Sequence, residues 1–221
     1  NGNCYYVESG DTAILIDAGI PGAEAERRLA ALGREIRDVK ALFISHDHAD
    51  HVSSAGVYAR KFGIPVHMTA RTWTAARKRI SLGRIEALEH FSAGDTVKVG
   101  PVSVRTIPTP HDAADGVAFV VQDRRRLVGV LTDLGNPFPE LAGVVRDLDG
   151  VLIESNYDPE MLEKGPYPVW LKERIRGDRG HLSNAESAGV LRDASARHLA
   201  WACLGHLSEE NNRPELALEA H

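Results

Sequence analysis

Ser45-His46-Asp47-His48-Ala49-Asp50-His51 packs three imidazoles and two carboxylates into seven residues. Imidazole and carboxylate are the ligand types that Zn²⁺, Mn²⁺ and Fe²⁺ share, and so many together repel or strand charge unless a cation uses them. A solvated polar loop with chance histidines is the plain alternative, and the residues in front weigh against it. Lys40-Ala41-Leu42-Phe43-Ile44 reads as a buried strand, so the cluster begins where a β-strand ends, a common place for chemistry in α/β folds. Behind it, Ser53 to Phe62 repeats apolar and small residues at helical spacing, which puts His46 to His51 in a strand-to-helix loop.

The same pattern extends in both directions. Upstream, Cys4 to Glu8 and Thr12 to Ile16 read as strands joined by the turn residues Ser9-Gly10-Asp11, and the second ends in Asp17-Ala18-Gly19. A helix is predicted over 23–32, with Gly33 as its stop. Downstream, Pro65 to Met68 is a short strand and 72–80 a helix. Strands at 97–99 and 102–107 flank Gly100-Pro101, and His111 follows them. The strands 117–122 and 126–131 lead to Thr132-Asp133, and 151–153 leads to Glu154-Ser155-Asn156. Helices are expected over 141–148, 168–176, 185–194 and 214–220, with Ser183 or Asn184 capping the third. The strand 198–204 runs into Gly205-His206. Two sheets packed face to face with helices outside are expected, as a single domain over 1–221.

Composition narrows the class. The formal charge of −5 argues against a generally basic nucleic-acid binder, although two divalent ions would offset most of it. Cys4 and Cys203 sit in apolar runs, in neither a disulfide framework nor a C-x-x-C, so a reduced, cytoplasmic setting is expected. No run approaches the ~20 apolar residues of a membrane span, and no leader precedes the first strand. The chain opens at Asn1-Gly2-Asn3 without a methionine and runs straight into a strand, so a truncated start is expected.

His46, His48, Asp50, His51, His111, Asp133 and His206 make seven candidate ligands, more than one tetrahedral ion needs. Seven ligands with one shared carboxylate suit a binuclear hydrolase, in which a hydroxide between two ions serves as nucleophile. His46-Asp47-His48-Ala49-Asp50-His51 moreover resembles the H-x-H-x-D-H signature of the metallo-β-lactamase-fold hydrolases, and the resemblance spans nearly the whole chain. It implies the four-layer αββα sandwich. It also implies that His46, His48 and His111 hold the first metal, Asp50, His51 and His206 the second, with Asp133 bridging. Asp17 resembles the family's aspartate that orients a ligand loop. True β-lactamases have a cysteine where Asp133 stands, and the inserted or appended domains of the RNA-cleaving and thioesterase branches do not fit this chain. Gly2-Asn3-Cys4, Leu152 to Asp158, Gly180-His181-Leu182-Ser183-Asn184 and Gly205 to Asn212 resemble the YycJ/WalJ-like group, which implies 5′-to-3′ exonuclease activity on DNA and a part in repair. The expected cofactors are two divalent ions per chain, Zn or Mn, with Fe as the further alternative.

Asp50 and His181 are read as the catalytic residues. His181 repeats the Gly-His-Leu-Ser context of His206 after the metal count is complete, so it is assigned to substrate phosphate or to protonation of the leaving oxygen. A structural histidine at a helix start is the bland reading. Glu154 either accepts a hydrogen bond from a ligand histidine or caps a strand, and Ser155 and Asn156 are expected to line the pocket. The expected partner is DNA, single-stranded or at 5′ ends, held by Lys172/Arg174/Arg176/Arg179 in preference to Arg71/Arg77/Lys78/Arg79/Arg84. Arg124-Arg125-Arg126 reads as a hairpin turn. Trp201 is expected in the core, inside its strand. The rival readings are a small-molecule hydrolase acting on cyclic phosphodiesters or lactones, and a metal-stabilised binding module.

Overall fold

A computed structural model describes residues 2–196 and 198–221, so Asn1, where the reading of the chain start falls, lies outside the described residues. The chain divides into two compact units, one of residues 1–106 and 113–117 and the other of 107–112 and 118–221.

In the first unit, β1 (Tyr5–Ser9) and β2 (Thr12–Ile16) pair antiparallel about a two-residue turn. Gly10 takes its first position at φ 56°, which a side chain would disfavour. β3 (Val39–Phe43), β4 (Val66–Met68) and β5 (Leu88–His90) follow in parallel, giving the order β1-β2-β3-β4-β5. Ala13, Leu15, Leu42, Val66 and Met68 face α1 (Gly22–Ala31), α3 (Ala55–Phe62) and α4 (Ala70–Arg79), whose Leu29, Tyr58, Phe62 and Ala76 complete the core. Between β3 and α3 lies the one-turn α2 (Ala49–Val52), so Asp50 and His51 stand on a helical turn and not in open loop. β6 (Thr96–Val99) and β7 (Val102–Pro108) form a hairpin about Gly100.

In the second unit β8 (Val117–Gln122) continues from the first and pairs antiparallel with β9 (Leu127–Leu131). β10 (Gly150–Glu154) and β11 (Trp201–Gly205) add in parallel, so β11 lies outermost beside β10. α5 (Leu141–Arg146) and α8 (Asn184–Ala194) cover the sheet through Leu141, Val145, Val190 and Ala194 against Leu131, Val151 and Ile153. α8 starts at a full capping box, Ser183 with Glu186. The short α6 (Pro159–Lys164) escaped the sequence reading, and α7 (Val169–Arg176) packs with it around Tyr157, Leu162 and Ile175. α9 (Pro214–Ala220) closes the chain. Trp201 corrects its expectation. It is 49% exposed, because β11 has a neighbour on one side only, and its ring lies where a Gly150 side chain would be. No helix among the described residues is long and apolar enough to cross a membrane.

Candidate metal centre

Each unit gathers predicted site residues at the carboxyl ends of its strands. In the first unit Asp17 follows directly on β2 and is fully buried with φ 64°. Its carboxylate accepts from the Ser45 amide at 2.8 Å, from Ser45 Oγ at 2.9 Å and from His51 Nδ1 at 2.8 Å. An imidazole that donates through Nδ1 keeps the lone pair on Nε2 for a cation, the arrangement seen behind metal-ligating histidines. Ser45 Oγ also lies 2.9 Å from His46 Nδ1, so one serine ties both rings to one carboxylate. The His46 ring centre lies 4.6 Å from that of His48 and 4.1 Å from that of His51. Asp50 is exposed at the edge of this group, its Oδ2 3.4 Å from His51 Nε2.

Two further residues join that loop without having been singled out for it. Asn3 Nδ2 lies 2.8 Å from His51 Nε2, and its Oδ1 accepts from Tyr5 Oη. Asp47, inside the motif but assigned no role, is buried and accepts from the Ala114 amide at 2.9 Å and from Arg79 at 3.1 Å. Gly19 is what lets the strands and the loop approach. A Cβ there would stand 1.7 Å from the Asp50 carbonyl oxygen.

In the second unit His111, Asp133, Glu154, His181 and His206 converge. Buried His111 donates through Nδ1 to the Gly180 carbonyl at 2.8 Å, which leaves its Nε2 3.5 Å from Asp133 Oδ1. Burial pushes the His111 pKa down against the pull of Asp133, favouring the neutral ring that binds metals. His206 Nε2 lies 3.8 Å from the same Asp133 oxygen, so this carboxylate stands between two imidazole nitrogens.

Glu154, fully buried at the end of β10, is the hub of this group. Its Oε1 accepts from His181 Nδ1 at 2.7 Å and from His206 Nδ1 at 2.9 Å, and its Oε2 from the Leu134 and Leu182 amides at 3.1 and 3.2 Å. Burial, the largest influence, pushes its pKa up. The two imidazoles and their hydrogen bonds outweigh that and hold it well below the usual carboxylate range. One ligand atom from each of Asp133, Glu154, His181 and His206 lies within 4.8 Å of the other three. Imidazole and carboxylate so close together are a fitting donor set for a divalent ion.

Other expectations need correction. Ser155 is fully buried with its hydroxyl donating to Asn184 Oδ1 at 2.7 Å, so it belongs to a buried polar knot. Asn212 ties that knot, donating to the Ser155 carbonyl and to Asn184 Oδ1. Asn156 donates to the His206 carbonyl at 2.7 Å, which holds the histidine's backbone. Three of the four members of the favoured basic cluster are closely engaged within their own unit. Arg174 forks onto Asp112 at 2.5 and 3.0 Å, Arg176 reaches Glu163 at 3.2 Å, and Lys172 donates to the Glu163 carbonyl. Arg126 pairs with Asp149 beside a turn held by Asp123, as a hairpin requires.

The metallo-beta-lactamase superfamily model matches residues 1–129. Exodeoxyribonuclease WalJ of Streptococcus pneumoniae is 35% identical over 219 residues, 98% of this chain and 81% of that protein. Exodeoxyribonuclease YycJ of Bacillus anthracis is 33% identical over 216 residues, 98% of this chain and 82% of its own. Among solved structures, the metallo-beta-lactamase fold protein YhfI from Bacillus subtilis superposes with a TM-score of 0.75 at 17% identity, covering 99% of this chain and 83% of the other.

Proposed function

The chain belongs to the metallo-beta-lactamase superfamily and has its αββα fold, and from that premise we propose that it is a binuclear metal-dependent phosphodiesterase, a 5′-to-3′ exonuclease acting on DNA. The exodeoxyribonuclease relatives, matched over nearly the whole chain, favour DNA over a small ester. By the family's motif order, His46, His48 and His111 would hold one ion and Asp50, His51 and His206 the other, with Asp133 available to both. The single-domain reading over residues 1–221 belongs to the same proposal. Zinc, manganese and iron all suit the donor set. Single strands or 5′ ends as substrate, a part in DNA repair and a cytoplasmic setting belong to the same reading.

The observation that carries the reading is the grip of Glu154 on two imidazoles at once. His206, held through Nδ1, turns Nε2 toward Asp133 as a ligand would. His181 is held through the same carboxylate oxygen, and its Nε2 has no hydrogen-bond partner among the described residues. Bound divalent ions supply charge stabilisation and an activated water at neutral pH. The remaining work falls to the chain. Asp17 and the Gly180 carbonyl fix the tautomers of His51 and His111. His181 meets a phosphoryl oxygen or protonates the leaving oxygen, a task for which an imidazole held through its other nitrogen by a carboxylate is suited.

The test is incubation of metal-loaded protein with 5′-labelled single- and double-stranded DNA and, in parallel, bis-p-nitrophenyl phosphate. Degradation of DNA from its 5′ end is expected. His181→Ala is expected to lower turnover by about 10²–10⁴-fold while two ions per chain remain by elemental analysis. Ester cleavage without DNA degradation under any metal overturns the nuclease reading, and loss of an ion in the variant overturns the role given to His181.

A further inference from the structure

The chain is acidic overall, yet α4 carries Arg71, Arg77, Lys78 and Arg79 and no acidic residue. Those four cations are not equivalent. Arg77 lies over the Trp73 ring at 5.0 Å, where a cation–π contact holds it. Arg71 meets Asp115 only at 4.0 Å with its side chain 76% exposed, and Lys78 has no acidic partner among the described residues. Arg71, Thr74, Ala75, Lys78 and Arg79, with Ala114 opposite, line an open groove of about 360 Å³. Residues 71, 74, 75 and 78 share a helix face, and the small side chains of Thr74 and Ala75 leave room between the two outer cations. Seven residues of helix rise roughly 10 Å, enough to run beside about three phosphates of one strand.

The groove is also tied to the metal-motif loop. Arg79 lines it and bonds Asp47, which sits between His46 and His48 and takes the Ala114 amide on its other oxygen. One buried carboxylate therefore fixes both the groove wall and the loop. The arginines of α7 offer no such surface, because Arg174 and Arg176 are matched to Asp112 and Glu163.

We infer that the basic face of α4 is a docking surface for the sugar-phosphate backbone of DNA, set against the loop that carries His46 and His48. This rests on the nuclease reading and names the surface by which the substrate is held. Arg71 can grip a phosphate with two donors, whereas Lys78 acts as a point charge. The contacts carry no base specificity, as suits an enzyme that must move along a strand.

The test measures binding of metal-loaded protein to a fluorescent, hydrolysis-resistant phosphorothioate single strand as salt is varied. Arg71→Gln/Lys78→Gln is expected to weaken binding on the order of tenfold and to flatten the slope of log affinity against log salt by about 1.4, from two phosphates at ~0.7 each. Its hydrolysis of bis-p-nitrophenyl phosphate should stay within about twofold of the parent, since neither side chain touches a motif residue. Arg124→Gln/Arg125→Gln, which removes two charges from the β8–β9 turn, should bind as the parent does. Arg71→Lys/Lys78→Arg keeps both charges and should hold parental affinity. Parental affinity and slope in the α4 glutamine variant, an equal loss in the turn variant, or equal weakness in the charge-keeping variant each overturn the surface while leaving the nuclease reading standing. A parent protein that neither binds nor degrades DNA overturns the nuclease reading, and this surface falls with it.

Discussion

Glu154→Gln tests the central geometric argument with one change of atom. The side chain keeps its size, but a carboxylate that accepts four hydrogen bonds becomes an amide with one acceptor end and one donor end. If the NH₂ takes the Oε1 place, it faces the Nδ1–H groups of His181 and His206. If it takes the Oε2 place, it faces the Leu134 and Leu182 amides. Either way two buried donors lose their acceptor, at about 1–3 kcal/mol each. Release from burying a carboxylate offsets part of this, leaving a net loss of roughly 2–4 kcal/mol. At about 2–4 °C per kcal/mol for a chain of this size, the melting temperature of the metal-free protein should fall by roughly 5–15 °C. The first orientation also drives both rings toward the Nε2–H tautomer, which removes the lone pair His206 needs as a ligand. Removing a hydrogen-bond partner behind a metal ligand costs about 10–100-fold in metal affinity or activity. Calorimetry, elemental analysis and ester turnover should therefore all move together. His181→Ala added to Glu154→Gln should cost much less than His181→Ala alone, because the ring is already misplaced. Parental melting temperature, two bound ions and parental turnover in Glu154→Gln would refute the reasoning.

Two further outcomes follow from the first unit's packing and from the thiols. Gly19→Ala would drive a Cβ into the Asp50 carbonyl at 1.7 Å, so the α2 turn must shift. Its metal content should fall below that of the parent by elemental analysis, with a lowered melting temperature, and an unchanged metal content would show that the loop tolerates the shift. Cys4 is half-buried beside Tyr58, and burial pushes its thiol up to about 11 although the Tyr58 hydroxyl bond pulls the other way. The raised value means that Cys4 stays protonated as pH rises past the usual thiol range, with about one thiolate per thousand at pH 8. A disulfide reagent should label exposed Cys203 quickly, and Cys4 only on unfolding or, increasingly, from pH 8 toward 10. Two equally fast thiols at pH 8 would contradict this.

Much of the site was legible because chemistry and hydrophobic pattern change at the same positions. β2, β9, β10 and β11 each read as an apolar run, and each gives way at its end to Asp17, Asp133, Glu154 or His206. What a run cannot reveal is which polar groups meet across the fold. Glu154 bonds residues 27 and 52 positions away, and the Arg174 fork closes on an aspartate 62 positions away, so neither the histidine pair nor the neutralised α7 cluster was foreseeable. Trp201 was misread for a related reason, since strand composition does not say which strand stands outermost. α6 did carry its signal, Asp158 capping onto the Met161 amide ahead of Pro159, but at six residues it is too short to show a helical period.

Backbone conformation adds something that composition could not. Among the described residues four non-glycine residues have positive φ: Ser195 at the end of α8, and Asp17, Asp133 and His206. Left-handed backbone costs a residue with a side chain roughly 1–2 kcal/mol, which glycine avoids. Aspartate tolerates it better than most, and histidine is among the enriched exceptions. At these three positions glycine would relieve the backbone and remove the functional group, so the strain is retained where the side chain is needed. The reversal of φ just past a strand also turns the next side chain out of the strand's alternation. Asp17 is held in that state by its amide bond to the Phe43 carbonyl at 2.7 Å and by the three bonds its carboxylate accepts from Ser45 and His51. The same bonds that fix His51 thus offset the cost of the conformation that brings the carboxylate to it, which is why strain and a site residue coincide at this strand end.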